Sequence, residues 1–130
     1  MPIDFRIDHD RRVVIAQAKG ALTSGDFFRY KNEAWTQPGV PGYNELMDLT
    51  LVTEIVDPSV EEIKRLVQLA VSMDPPNTPS RFAIAAPKEI IFGLGRMYEA
   101  YRSLQPGSTK SVTVFRTLTE AMEFLGLDAL

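Results

Sequence analysis

Apolar residues recur along this chain with two different periods, and the order of the two periods restricts the fold. Ile3, Phe5 and Ile7 alternate with charged residues, which is the period-two pattern of a half-buried strand. A polar turn separates them from Val13–Ala18, so the two segments predict an antiparallel hairpin. Downstream, Val60–Val71 carries apolar residues at helical spacing, and strand-like and helix-like segments then alternate to the end of the chain.

The predicted element order is β-β-α-β-α-β-α-β-α. It indicates an α/β fold with one domain over residues 1–130, a five-stranded mixed sheet, an N-terminal β-hairpin and four helices. The other predicted strands are Glu45–Leu49, Phe82–Ala86 and Val112–Phe115, with Thr50–Val56 as a connection. The other predicted helices are Gly25–Thr36, Lys88–Leu104 and a last one that begins after Thr117 or Thr119.

The segment Asp57-Pro58-Ser59 carries the clearest signal for the start of a helix. Ser59 and Glu62 have the spacing of a capping box, whereas Asp57 as N-cap with Pro58 in the first helical position is a second register. A helix N-terminus offers free N–H groups and a partial positive charge. Ser59 and Asp57 are therefore a candidate phospho-switch or anion site, and simple capping is the alternative interpretation.

The sequence shows no catalytic apparatus. It has no cysteine, and its one histidine, His9, falls in the predicted hairpin turn, where we interpret it as an exposed turn residue. Gly93-Leu94-Gly95 resembles part of a dinucleotide fingerprint but lies inside a predicted helix. Asp48 is predicted to end its strand, at the edge where open α/β sheets bind ligands. We predict a protein that is not an enzyme, with no catalytic residue, metal or cofactor.

Charge and hydropathy limit the partners. The 14 basic and 17 acidic side chains are interspersed, giving a net charge of −3, whereas nucleic-acid binding typically needs a basic stripe. No apolar run reaches the roughly 18 residues of a membrane span, and the first residues lack the pattern of a signal peptide. Together with the lack of cysteine, this predicts a bacterial cytoplasmic protein that binds no nucleic acid and has no integral membrane segment.

Aromatic residues are more numerous in the first predicted helix than one buried stripe requires. Some of them are therefore expected to line a ligand pocket or an oligomer interface. We expect the same of some residues of the long predicted helix, Lys88–Leu104. The two glycines of that helix serve either close packing or a notch for a ligand or partner. The candidate ligand or interface residues are Phe27, Phe28, Trp35, Phe92, Gly93, Gly95, Arg96, Met97 and Tyr101.

Three segments carry a resemblance to a known family. Leu46–Ser59 (LMDLTLVTEIVDPS) resembles the STAS pattern, in which an apolar strand ends in Asp-Leu-Ser and Asp-Ser-Ser-Gly later opens a helix. Phe82–Tyr98 and Val112–Leu125 are similar to a branch of uncharacterised bacterial proteins described as STAS-like or CRAL-TRIO-like. The resemblance covers nearly the whole chain and implies a STAS-like fold.

The resemblance also implies two kinds of function. In STAS antagonists of anti-sigma factors, a partner kinase phosphorylates a serine at the start of this helix, and Ser59 is the matching position. The chain departs from that motif, because Pro58 replaces the first serine and Val60 replaces the glycine. The CRAL-TRIO side of the resemblance implies an apolar cavity between the sheet and the helices.

Two functions follow as hypotheses. The first is a non-enzymatic binding or regulatory module that acts through protein–protein contact, with a protein partner or a second copy of the chain, by way of the helix Asp57–Met73. The alternative is a carrier of a small apolar or lipid-like ligand in a cavity between sheet and helices.

Overall fold

A computed structural model describes residues 2–130 of the chain. Its five strands and four helices occur in the predicted order. The strands are β1 (Ile3–Asp8), β2 (Val13–Leu22), β3 (Asn44–Ile55), β4 (Ser80–Ala85) and β5 (Lys110–Phe115). The helices are α1 (Ser24–Ala34), α2 (Val60–Ser72), α3 (Glu89–Ser103) and α4 (Leu118–Leu125).

The strands form one mixed sheet in the order β1-β2-β3-β4-β5. β1 and β2 are antiparallel, and every later neighbour is parallel. The hairpin turns at Arg12, which has a φ of 54°, and the Arg11 N–H donates to the Asp8 carboxylate. A helix lies in each parallel connection, because parallel strands need a long crossover. The predicted fold class is confirmed: a single-domain α/β fold with a five-stranded mixed sheet and four helices.

Helices cover both faces of the sheet. The pleat sends Val14 and Ala16 to one face, under α1, α2 and α3, and sends Val13 and Ile15 to the other face, under α4. The core under the first three helices is the larger one. It contains most of the buried aromatic side chains and also the site described below.

The strand β3 is longer than predicted. The predicted end at Leu49 and the predicted connection Thr50–Val56 are wrong, because the strand runs on to Ile55 beside β2. β4 pairs with β3 only as far as Asp48, so the last part of β3 has β2 as its single neighbour. The period-two pattern is lost there because the register shifts twice, opposite Gln17–Lys19 and opposite Gly20–Ala21.

Asp48 therefore lies inside a strand and does not end one. Its side chain is buried, and its Oδ1 accepts the Thr50 N–H at 2.9 Å and the Thr50 hydroxyl at 2.6 Å. Gln17 contributes a longer contact of 3.4 Å to Oδ2. This carboxylate holds the first of these register shifts, and the prediction that Asp48 ends its strand is wrong.

A side chain caps the N-terminus of α1, α2 and α4. At α2, the Ser59 Oγ accepts the Glu62 N–H at 3.1 Å, so the Ser59 register is the one adopted. Asp57 precedes the helix with a φ of 46°. Thr23 caps α1 in a full capping box, and Gly126 ends α4 in the left-handed conformation, with a φ of 71°.

Candidate functional site

A cavity of about 110 Å³ lies between the sheet and the three helices α1, α2 and α3. Its walls come from these helices, from β3 and β4, and from the loop of residues 56–59 that joins β3 to α2. The middle of the cavity is apolar, with walls formed by Met47, Leu49, Ile63, Leu66, Ile84 and Ile91. For comparison, apolar cavities of roughly 150 Å³ hold a benzene molecule.

The two ends of the cavity differ in exposure. At one end, which we call the mouth, the lining includes Phe28, Ser59 and the exposed residues Val56, Asp57 and Pro58. The mouth lies past the last residue of β4, where β3 continues beside β2 alone. The cavity therefore opens at the carboxyl edge of the parallel strands, the usual position for ligands in open α/β sheets.

The opposite end, which we call the inner end, is lined by Tyr30, Lys31 and Glu45, all of them buried. The Glu45 side chain is 0% exposed. Its Oε2 accepts the Tyr30 hydroxyl proton at 2.7 Å, and its Oε1 accepts from the Lys31 Nζ at 3.2 Å. Lys110 Nζ lies 3.8 Å from the same Oε1. One buried carboxylate thus faces two ammonium groups.

The charged partners decide the ionisation of this cluster. Burial opposes the charged form of Glu45, but the ammonium groups of Lys31 and Lys110 and the Tyr30 hydrogen bond outweigh burial, so the pKa of Glu45 lies below its ordinary value. Burial and then the Glu45 charge raise the pKa of Tyr30 well above its ordinary value. Glu45 is therefore ionised and Tyr30 neutral at pH 7.

Lys110 is the member of the cluster whose charged form is least well stabilised. Its Nζ donates to the Tyr43 carbonyl at 2.7 Å and lies 4.0 Å from the centre of the Trp35 ring. Burial lowers the pKa of Lys110 to about 7, and the attraction of Glu45 offsets that burial only in part.

A second polar network borders the cavity at Tyr98. The Tyr98 hydroxyl accepts from Arg102 at 2.6 Å, and Arg102 also donates to both oxygens of Asp74 at 2.7 Å. Arg102 and Asp74 balance one another in charge. This network fixes α3 to the loop after α2, and it leaves the charge balance at the inner end to Glu45 and its two lysines.

The structure brings some of the candidate ligand residues together. Phe27, Phe28 and Gly95 line the cavity. At Gly95, an added Cβ would lie 3.1 Å from Val114 Cγ2, so this glycine permits the close packing of α3 on β5. An added Cβ at Gly93 would meet nothing within 4 Å. Only one of the two glycines is therefore needed for packing.

The other candidates lie outside the cavity lining. Trp35 is buried, and its indole N–H donates to the Tyr30 hydroxyl at 3.0 Å, so it supports the inner end from behind. Phe92 lies under the Arg116 guanidinium at 4.1 Å, and Lys64 lies over the Tyr101 ring at 5.4 Å. The remaining candidates on α3 are the exposed Gly93 and Arg96 and the half-buried Met97.

The candidate anion site lies at the mouth. Ser59 and Asp57 both line it, close to Glu62. The Ser59 Oγ already accepts one helix N–H, and Glu62 accepts from Arg65 at 2.7 Å. The structure therefore places these two residues at the entrance of the cavity.

Sequence reasoning missed the charged residues of the inner end. Glu45 begins an apolar strand and Lys31 lies on the buried side of α1, but neither was a candidate. The available signal was a charged residue within an otherwise apolar strand, since acidic side chains are almost never fully buried unless they are paired.

Two further features of residues 2–130 concern metal ions and membranes. No group of three or more His, Cys, Asp or Glu side chains in this part of the chain could hold a metal ion. None of the helices described is long and apolar enough to cross a membrane.

A solved structure of another protein has a similar fold. The chain is similar to an uncharacterized protein from the DUF3478 family with a SpoIIAA-like fold, from Shewanella loihica PV-4. The TM-score is 0.60 at 16% sequence identity, and the alignment covers 95% of this chain and 93% of that chain. This likeness supports the STAS-like fold that the sequence resemblance implies.

No family model matches the sequence. No curated protein matches it either.

Proposed function

We propose that this chain is a non-enzymatic binding module that takes a small apolar ligand into the cavity under α1, α2 and α3. The observation that carries the proposal is the cavity itself, which has apolar walls along its length and one end at exposed residues. Ligand pockets have this character, with mainly apolar walls and a few polar groups at defined positions.

The size of the cavity sets the size of the ligand. A volume of about 110 Å³ suits a small ring or a chain of about four to six carbon atoms, judged against the roughly 150 Å³ cavity that holds benzene. A larger lipid would need α1 or the loop of residues 56–59 to move outwards.

Hexan-1-ol is a suitable probe for this function. We expect it to shift the NMR signals of methyl groups in the cavity walls, including those of Met47 and Ile84. Leu66→Phe adds bulk to the cavity wall on α2 and should weaken binding at least tenfold. Leu69→Phe is the matched control, since Leu69 lies on the same helix outside the lining. Equal binding by the two variants, or shifts confined to other residues, would reject the proposal.

A protein-contact function at the mouth is the second candidate. Val56 and Val60, 38% and 39% exposed, lie on either side of Ser59. The STAS resemblance adds phosphorylation of Ser59, and a phosphate there would gain from the N-terminus of α2. Asp57 and Glu62 would oppose the added charge. Mass spectrometry of the protein isolated from its own cells should find phosphate on Ser59, and unmodified Ser59 under all growth conditions would reject this switch.

The protein that binds at the mouth could also be a second copy of this chain. Light scattering after size exclusion should then report a dimer, and Val60→Lys should give a monomer. A monomeric unmodified chain would reject self-association.

A further inference from the structure

The inner end of the cavity has more positive than negative charge. Lys31 and Lys110 both face Glu45, and within residues 2–130 Glu45 is the only carboxylate that forms an ion pair with either lysine. The nearby Arg102 is already matched by Asp74. Below pH 7, where Lys110 is mostly protonated, the inner end has an excess of one positive charge in a place from which water is largely excluded. A buried charge without a partner is costly, so a ligand that supplies the missing negative charge is favoured.

The hydrogen-bonding groups of the inner end also favour a ligand that supplies an acceptor. Both oxygens of Glu45 accept hydrogen bonds, and the Tyr30 hydroxyl both donates to Glu45 and accepts from Trp35. Lys31 has three protons and gives one to Glu45. Its Nζ otherwise lies over the rings of Trp35 at 4.9 Å and Phe82 at 5.7 Å. The polar group with spare capacity is therefore a donor, and it suits an acceptor on the ligand.

The mouth has the opposite charge. Asp57 and Glu62 line it, and Arg65 is paired with Glu62, so Asp57 supplies the excess negative charge. An anionic group on the ligand is repelled at the mouth and attracted at the inner end, while the apolar walls between them suit a hydrocarbon chain. The arrangement sets the direction of the ligand as well as its class.

We propose that the ligand is a short monoanionic amphiphile, a carboxylate whose hydrocarbon chain lies between the sheet and α1–α3 and whose carboxylate group accepts a hydrogen bond from Lys31 at the inner end. This inference rests on the proposed binding function. It adds the chemical class of the ligand and its orientation.

Three six-carbon probes with different head groups test the proposal: hexanoate, hexan-1-ol and hexylammonium, titrated by calorimetry at pH 6, where an ordinary carboxyl group is ionised. We expect hexanoate to bind at least tenfold more tightly than hexan-1-ol, and hexylammonium at least tenfold more weakly. If hexan-1-ol binds as tightly as hexanoate, or hexylammonium binds most tightly, the carboxylate inference is overturned while the binding function stands. If none of the three binds, the binding function itself is rejected.

Lys31→Met tests whether Lys31 is the group that binds the carboxylate. It should bring the affinity for hexanoate to within twofold of that for hexan-1-ol. Lys19→Met, at an exposed position of β2, is the matched control and should keep the full preference for hexanoate. A preference that survives in Lys31→Met overturns the role of Lys31.

The orientation is measurable in the unmodified protein, which covers the case in which Lys31→Met fails to fold. Nuclear Overhauser contacts should join the protons next to the carboxylate of hexanoate to Tyr30 and Phe82, and the terminal methyl to Leu49, which lies further towards the mouth. The reverse set of contacts would overturn the inference.

Discussion

At the scale of single residues, this protein is defined by ionisable side chains buried within an apolar core. Glu45 is stable as an ion only because Lys31, Lys110 and Tyr30 surround it. The apolar positions of the chain would have been enough to predict a core there. What they do not predict is that three charged side chains from α1, β3 and β5 meet inside it.

Replacing the central carboxylate should be costly. Glu45→Gln leaves two buried ammonium groups without a counter-charge, and we expect a loss of about 3–5 kcal/mol in the free energy of unfolding at pH 6. Glu54→Gln, at an exposed position of the same strand, should change it by less than about 0.5 kcal/mol. Urea denaturation measures both values, and equal effects would show that Glu45 is not the counter-charge of the cluster.

Lys110 should make the stability of the protein depend on pH. Its pKa of about 7 in the folded chain lies below the ordinary 10.5, so between these values the unfolded chain binds more protons. Stability should therefore rise with pH above 7, by about 1 kcal/mol per pH unit, and should not change on this account below 7.

The measurement is a series of urea denaturations from pH 6 to pH 9.5, which stays below the ordinary pKa of tyrosine near 10. Lys110→Met should remove the rise, and Lys19→Met should keep it. A rise that persists in Lys110→Met would assign it to another group.

At the scale of secondary-structure elements, local signals decided most boundaries and long-range pairing decided the rest. The Ser59 cap and the hairpin turn depend on residues that are close in sequence, so the sequence alone indicated both. The continuation of β3 to Ile55 depends on pairing with β2, across a bulge that Asp48 holds. That is why β3 was predicted to end too early. The same pairing extends β2 to Leu22, so its predicted end at Ala18 is also wrong.

The two glycines of α3 should respond to substitution in opposite ways. Gly95→Ala places a methyl group 3.1 Å from the buried Val114 side chain, which must give way by a few tenths of an ångström. We expect this crowding to outweigh the gain in helix propensity and to lower the free energy of unfolding. Gly93→Ala enters open space and should raise it by about 0.5–1 kcal/mol through better helix propensity. Thermal unfolding of both variants checks the difference, and a gain at both positions would contradict the close packing at Gly95.

At the scale of the whole molecule, the cavity results from how three helices and the sheet meet. The similarity in fold to the Shewanella loihica protein extends over nearly the full length of both chains. A shared fold at low identity does not carry a function with it, because function depends on the residues of the site. The buried cluster and the mouth therefore support the ligand proposal, and the fold supplies the space between them.

Ligand binding should stabilise the whole molecule. Hexanoate at 100 times its dissociation constant should add about 2.7 kcal/mol to the free energy of unfolding, because it binds the folded chain only. For a chain of this length we expect a rise of several degrees in the melting temperature. Scanning calorimetry with and without hexanoate gives the shift, and Leu66→Phe should lose most of it. An equal shift in Leu66→Phe would place the binding outside the cavity.

The sequence by itself determined the type and order of the elements and offered two registers for the start of α2, because each depends on residues within a turn or two of one another. The element order in turn predicted the mixed sheet, since alternating strands and helices imply crossovers between parallel strands. It also singled out Phe27, Phe28, Gly95, Asp57 and Ser59, which the structure places around one cavity. Only the tertiary structure decided that Trp35 is buried, that β3 is long, and that Lys31, Glu45 and Lys110 form one cluster. The physical reason is that a buried charge is tolerated only by its partners in space, and those partners come from segments far apart in the chain.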